Sequence, residues 1–221
     1  MTIYGTGDYR LRTPRGAPAI LEARDDTSDL SVIGSTFEGV AGSGLVDEYN
    51  LRTLYITGRF VDVGAHVGAV TVAVLLDNPD ATAVCVEPIP ENVAVLRANL
   101  AHNGLTDRAE VIEGAVGTDT VHYGPPGVER YISNLSGTEH AVTVRKIPLR
   151  ELLPADAMKL DCEGGEWPLL RQKGIATIPL IFGEFHGEPG PGGLRALLSK
   201  THEVTFGQID VMAGAFRAVR R

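Results

Sequence analysis

From residue 59 onward, short apolar runs alternate with segments whose apolar residues recur every three or four positions. Arg59-Phe60-Val61-Asp62-Val63 reads as a strand, and Gly64-Ala65-His66-Val67-Gly68 as the tight turn that ends it. Ala69 to Leu76 is apolar on every side, which predicts a buried helix stopped near Asn78-Pro79. A second strand over 81–86 ends at Glu87-Pro88, and Pro90 opens a helix with Val93, Leu96 and Leu100 on one face and Gly104 behind it. A third strand, 109–113, closes at Gly114-Ala115. After an interruption, the alternation resumes with a strand at 157–161, a helix at 166–173, a strand at 179–185, a helix at 193–200 and two last strands near 203–208 and 213–219.

Crossovers of this length make a parallel sheet with right-handed connections. The predicted fold is therefore α/β and Rossmann-like, a mostly parallel seven-stranded sheet with helices on both faces. Two segments stand outside the alternation. Residues 118–150 carry Val121-His122-Tyr123, Tyr131-Ile132 and the alternating 141–145, which predicts a β-hairpin insertion followed by a short helix at 149–153. Residues 1–58 form an N-terminal extension to the 59–221 domain: a turn-rich arm to about Leu21, a Thr27-Ser28-Asp29 cluster that starts a helix or fixes a turn, and a glycine-rich passage through Gly39, Gly42 and Gly44. The extension is expected to cover one sheet edge and part of the active-site mouth.

Composition narrows the function. At 221 residues, one substantial α/β core is expected. A formal charge of −8 argues against a protein that wraps nucleic acid, which needs a basic face. No apolar stretch approaches the roughly 20 residues of a membrane helix, and Tyr4, Asp8, Arg10 and Arg12 interrupt any signal-like start, so the expected location is the cytoplasm, away from membranes. Cys85 and Cys162 lack metal-like spacing and are expected to be buried apolar residues. The sequence leaves the oligomeric state open.

In a doubly wound sheet, ligands collect beyond the C-terminal strand ends near the switch point. Those ends here carry Asp62 to Gly68, Glu87, Glu113-Gly114-Ala115, Asp161-Cys162-Glu163 and Glu184-Phe185-His186. Glu87, about 20 residues past the glycine turn, stands where an acid accepts both hydroxyls of an adenosine ribose. Gly114, Ala115 and their neighbours offer backbone groups to an adenine edge. NAD would satisfy the ribose geometry as well as any other adenosyl ligand.

The turn Asp62-x-Gly64-Ala65-His66-x-Gly68 resembles the glycine loop of class I S-adenosylmethionine (SAM)-dependent methyltransferases, in the variant of the FkbM family. Lys159-Leu160-Asp161-Cys162-Glu163-Gly164-Gly165-Glu166 resembles that family's K-[IL]-D-x-E-G-x-E signature. Val86 to Asn92 is similar to its E-P-x-P-x-N, and Thr27-Ser28-Asp29 with Glu48-Tyr49 to its N-terminal elements. The resemblance spans about residues 25–187. It implies a SAM-dependent methyltransferase, often acting on oxygen in natural-product or sugar pathways. It also implies that Asp62, Gly64, His66, Gly68 and Glu87 hold SAM, with Asp161 facing its methyl-donor end; Ala65, Pro88, Gly114 and Ala115 beside them are the further expected cofactor contacts.

Methyl transfer requires a positioned acceptor and removal of its proton. His186 is the first choice of base, since imidazole titrates near working pH, and Asp161, Glu163 and Glu184 are expected to orient it or bind the acceptor. The expected partner is a small-molecule or sugar hydroxyl, with an amine or peptide nitrogen as the nearest alternative. A divalent ion at Asp161, Glu184 and His186 is possible chemistry but not favoured, and no metal ligand is assigned. A nicotinamide-dependent oxidoreductase would share the sheet and Glu87 but lacks the dinucleotide glycine spacing. A non-catalytic SAM-binding module is the remaining alternative.

Overall fold

The computed structural model describes residues 6–25, 27–37, 47–117, 120–122, 141–209 and 213–221. The chain opens with strands β1 (Thr6–Arg12) and β2 (Pro18–Arg24), which form an antiparallel hairpin, and helix α1 (Asp29–Thr36). Then come β3 (Gly58–Val63), α2 (Ala69–Asp77), β4 (Ala81–Glu87), α3 (Pro90–His102) and β5 (Ala109–Glu113). Four short strands follow, β6 (Ala115–Val116), β7 (Thr120–His122), β8 (Ala141–Thr143) and β9 (Lys146–Ile147), with helix α4 (Leu149–Leu152) after them. The last part holds β10 (Ala157–Leu160), α5 (Glu166–Leu170), β11 (Leu180–His186), α6 (Gly190–Leu198), β12 (His202–Ile209) and β13 (Ala213–Arg220).

The main sheet has seven strands in the order β12-β13-β11-β10-β3-β4-β5. Six run in the same direction, and β13 lies antiparallel between β11 and β12. From β3 the chain steps outward through β4 and β5, then returns to the other side of β3 with β10 and steps outward again. The reversal puts the switch point between β3 and β10 and opens a crevice beyond their C-terminal ends. Alternation along β3 sends Phe60 into one buried cluster, with α2, and Val61 and Val63 into the other, with α4 to α6.

The N-terminal extension accounts for the most unusual stretch of the sequence. Helix α2 is buried from Ala69 to Leu75, so it needs cover on the face turned away from the sheet. Leu21 of β2 and Ile33 of α1 supply it, in the same hydrophobic cluster as Val70, Val72 and Leu75. Two asparagines one turn apart, Asn99 on α3 and Asn103 just after its end, then take up the free edge of β2. Asn99 Oδ1 accepts from the Glu22 N–H at 2.6 Å and Asn99 Nδ2 donates to the Glu22 carbonyl at 3.2 Å. Asn103 makes the same pair with Ile20, at 2.9 and 2.6 Å. The two side chains stand in for a neighbouring strand, which blunts an edge that would otherwise invite pairing.

Three expectations change. The helix expected at 166–173 ends at Leu170, and a 3-10 turn at Lys173–Thr177 follows, which drives Ile175 into the core. The helix expected at 193–200 begins three residues earlier, where Pro191 fits the first turn. Cys85 is buried as expected, but Cys162 is only half-buried, in the loop after β10. The insertion is present as the antiparallel pair β7–β8, with Tyr131-Ile132 outside the described residues, as are Gly39, Gly42 and Gly44. Among the described residues no helix is long and apolar enough to cross a membrane.

Candidate active site

The crevice is built where β3 and β10 end. Gly64 has φ +78°, a left-handed backbone that glycine adopts without strain. A Cβ there would lie 1.8 Å from the Asp161 carbonyl oxygen, so the glycine turn and the β10 loop touch backbone to backbone. Beneath this contact lies Lys159, only 3% exposed. Its Nζ donates to the Gly64 carbonyl at 2.7 Å and sits 3.4 Å from both Asp62 Oδ1 and Asp161 Oδ2. Burial would push the ammonium down, but the two carboxylates outweigh it and hold Lys159 above the usual lysine range. Asp62, fully buried, also accepts from Thr71 Oγ at 2.7 Å. These contacts fix the floor of the turn.

Glu87 stands at the lip of the same turn. Its Oε2 accepts from the His66 N–H at 2.9 Å, and its Oε1 from the Ile89 N–H and Asn92 Nδ2, both at 3.1 Å. Burial raises this carboxyl above the usual range against those hydrogen bonds. Each oxygen has two lone pairs, so Oε2 retains capacity for one further donor. The Gly114 N–H is taken by the Glu87 carbonyl at 3.1 Å and the Ala115 N–H by the Arg145 carbonyl at 2.9 Å. These two N–H groups hold the segment that leads into β6, and the expected adenine contacts of Gly114 and Ala115 rest on their other backbone groups.

The β10 and β11 ends face each other across the crevice. Glu166 closes the loop after β10 by accepting from the Cys162 N–H at 2.7 Å and the Gly164 N–H at 2.9 Å. Trp167 Nε1 donates to the His186 carbonyl at 2.6 Å and so anchors the end of β11. His186 then lies among three carboxylates: Nδ1 is 3.2 Å from Glu166 Oε1, and Nε2 is 3.3 Å from Glu184 and 3.7 Å from Glu163. Burial opposes its charge, but the carboxylates of Glu166, Glu184 and Glu163 outweigh it and lift the imidazole to about 11. At neutral pH the ring is an imidazolium. Glu163 has a left-handed backbone, φ +53°, and burial among acids raises its carboxyl to about 7, with His186 opposing the rise. One ligand atom each from Asp161, Glu163 and His186 falls within 4.8 Å of the others, a spacing that the imidazolium charge already uses to balance the acids.

The extension closes the crevice from outside the sheet. Tyr49 Oη donates to Asp161 Oδ2 at 3.0 Å while its ring packs 5.9 Å from that of Phe182. Burial would raise Asp161, but Lys159, His186 and Tyr49 hold it below the usual carboxylate range. Glu48 is pushed up to about 8, first by burial and then by the neighbouring Glu184 carboxylate, with Asp161 adding to it. This makes stability pH-dependent in a defined direction. A carboxyl that ionises at 4.5 when unfolded and at about 8 when folded contributes fully below 4.5, and the contribution is lost as pH rises through 8. The raised Glu163 and His186 act in the same direction, their contributions fading as pH rises through about 7 and about 11. In thermal melts, Glu48→Gln should match the parent at about pH 4 and melt at a higher temperature at about pH 9; identical falls in both proteins would refute the assignment.

By sequence, Asp62, Gly64, Ala65, His66, Gly68, Glu87, Pro88, Gly114, Ala115, Asp161, Glu163, Glu184 and His186 are expected around one crevice; the contacts tie His66 to Glu87, Gly64 to Asp161, and His186 to Glu163 and Glu184, with Asp62 beneath the turn. Arg24, which pairs with Asp29 and Asn92, is a neighbour that neither the strand ends nor the motifs quoted above point to, and Asp29, Asn92 and Lys159 lie in those motifs but not at the strand ends read as ligand positions. A lysine inside the apolar run Ala157 to Leu160 is the available signal, since a charge buried on a central strand must be paired.

The methyltransferase FkbM domain matches residues 62–212 of the chain. No curated protein matches. Among solved structures, the fold is similar to precorrin-6y C5,15-methyltransferase from Geobacter metallireducens GS-15, with a TM-score of 0.52 and 11% identity over 79% of this chain and 86% of that one. It is also similar to M. capricolum TrmK in complex with S-adenosylhomocysteine, with a TM-score of 0.51 and 12% identity over 77% of this chain and 66% of that one. At these identities the likeness is one of fold, whereas the domain match covers most of the chain. The switch-point crevice, its glycine turn and the Lys159–Asp161 pair lie within that match, and the chain belongs to the FkbM methyltransferase family.

Proposed function

We propose that this protein transfers a methyl group from SAM to a hydroxyl of a small molecule or sugar, with Glu163 as the general base. The observation that carries the reading is the pairing of Glu87 and Asp161 on either side of the Gly64 turn, one acid for each end of the cofactor. The donor set fits SAM: Glu87 Oε2 keeps a free lone pair at the lip, and a turn rich in glycine lets backbone approach an adenosyl ligand. When bound, SAM supplies a methyl group on a sulfonium sulfur. Asp161, held ionised by Lys159 and Tyr49, presents negative charge to the sulfonium end.

The acceptor oxygen must lose a proton as it bonds to the methyl carbon. His186 is the first candidate by sequence, but an imidazolium clamped among three carboxylates has no lone pair to offer at neutral pH. Glu163, about 7 and partly open to the crevice, takes the proton, and His186 holds it in place and balances the charge. Cys85 and Cys162 as thiols suit the reducing conditions of a cytoplasm.

A second reading has its own support. Glu48, Asp161, Glu163 and Glu184 face the mouth, and such a ring also suits an ammonium, which favours N-methylation of an amine. A panel of hydroxyl and amine acceptors with labelled SAM separates the two. With the acceptor that turns over, kcat should rise with pH through about 7 as Glu163 ionises. Glu163→Gln should lose that limb and about 10²- to 10⁴-fold in rate. A limb that survives in Glu163→Gln and vanishes in His186→Gln would return the role of base to His186.

A further inference from the structure

A closed ring of polar contacts ties the N-terminal extension to the cofactor crevice. Arg24 grips Asp29 with two parallel bonds, Nε to Oδ2 at 2.8 Å and Nη2 to Oδ1 at 2.7 Å, and Nη2 donates again to Asn92 Oδ1 at 2.7 Å. Asn92 passes on to Glu87, Glu87 accepts from the His66 N–H, and His66 Nε2 lies 3.7 Å from Asp29 Oδ1. Arg24 is 6% exposed and Asp29 fully buried. Two buried nitrogens of the ring have no hydrogen-bond partner among the described residues: Arg24 Nη1 and His66 Nδ1.

Their chemistry is complementary. Arg24 Nη1 can only donate. Burial pushes the His66 imidazole down to about 4 despite Asp29, so it is neutral, and the Asp29 carboxylate beside Nε2 favours the tautomer with its proton there. Nδ1 is left as an acceptor. A buried guanidinium nitrogen without an acceptor costs free energy, as does a buried lone pair without a donor. One donor and one acceptor in the ring that includes Glu87 suit a group that itself accepts and donates.

We infer that Arg24 Nη1 and His66 Nδ1 form a donor–acceptor pair that holds a polar end of the cofactor, which makes the N-terminal extension a wall of the cofactor site; this rests on the SAM reading above. SAM offers two ends of that chemistry, the ribose diol and the amino-acid zwitterion. S-adenosylhomocysteine carries both, whereas 5′-methylthioadenosine keeps the diol and lacks the amino acid.

Calorimetric titration of the full chain with both ligands tests this. His66 has φ +50°, which glycine and asparagine tolerate, so His66→Gly and His66→Asn preserve the turn. His66→Gly should weaken S-adenosylhomocysteine about tenfold, and His66→Asn, whose amide oxygen stands in for Nδ1, should restore it to within about threefold. Arg24→Lys, which keeps a cation for Asp29 but loses Nη1, should also weaken it about tenfold; should that variant fail to fold, the His66 pair decides. A loss shared by 5′-methylthioadenosine places the pair on the diol, and a loss confined to S-adenosylhomocysteine places it on the amino acid; both uphold the inference. Unchanged binding in His66→Gly, or no recovery in His66→Asn, overturns it. A parent protein that binds neither ligand brings down the SAM reading itself.

Discussion

Gly64→Ala is expected to cost about 2–6 kcal/mol of folding stability, taking about 1–3 for a side chain at positive φ and about 1–3 for overpacking, and to abolish cofactor binding. The cause is specific to the place. The new Cβ would meet the Asp161 carbonyl oxygen at 1.8 Å, and a backbone atom at the end of a central strand cannot swing aside as a side chain can. The turn or the β10 loop must move, and each carries half of the site. Gly104→Ala is the control: φ is +66° there too, but nothing lies within 4 Å of a Cβ, so only the conformational cost of about 1–3 kcal/mol applies. Urea unfolding of the two variants measures the difference. Equal losses would mean that the contact between the turn and the β10 loop is dispensable.

Lys159→Met is the second large effect, a loss of about 3–5 kcal/mol, the usual range for breaking a buried ion pair from one side. Methionine fills the volume but leaves the fully buried Asp62 facing Asp161 without the ammonium between them, and the Gly64 carbonyl without its donor. If charge is the reason, a second replacement should restore part of the loss. Asp62→Asn keeps an acceptor for Thr71 Oγ, so the double variant should be more stable than Lys159→Met alone. A double variant less stable than the single one would show that Lys159 acts by packing rather than by charge.

How much of this is legible in the sequence depends on distance along the chain. Strand, turn and helix periodicity fixes which residues fall at strand ends, so Asp62, Glu87, Asp161 and His186 gather at one crevice on periodicity alone. The switch point between β3 and β10 follows from the same alternation once right-handed crossovers are assumed. Contacts made by the extension are not legible in this way. Tyr49 meets Asp161 across 112 residues and Arg24 meets Asn92 across 68, and no local pattern carries such pairings. Their consequence does show in the sequence: a helix apolar on every side, Ala69 to Leu76, that has to be covered by something, and Asn99 and Asn103 one turn apart at the end of the helix after it. The base proposed here differs from the one the strand end suggests for a related reason. A histidine at a strand end suggests a free imidazole, and only the three-dimensional placement of Glu163, Glu166 and Glu184 around it turns it into a held cation.

Binding of SAM in the crevice beyond β3 and β10, with Glu87 taking its ribose, is the claim on which the rest depends. Titration of the folded protein with SAM and with NAD, repeated on the near-isosteric Glu87→Gln, tests it most directly. The expected result is SAM binding in the micromolar range, roughly −8 kcal/mol, weakened at least about tenfold in Glu87→Gln, and no binding of NAD. Binding of NAD with none of SAM would contradict it and return the crevice to nicotinamide chemistry.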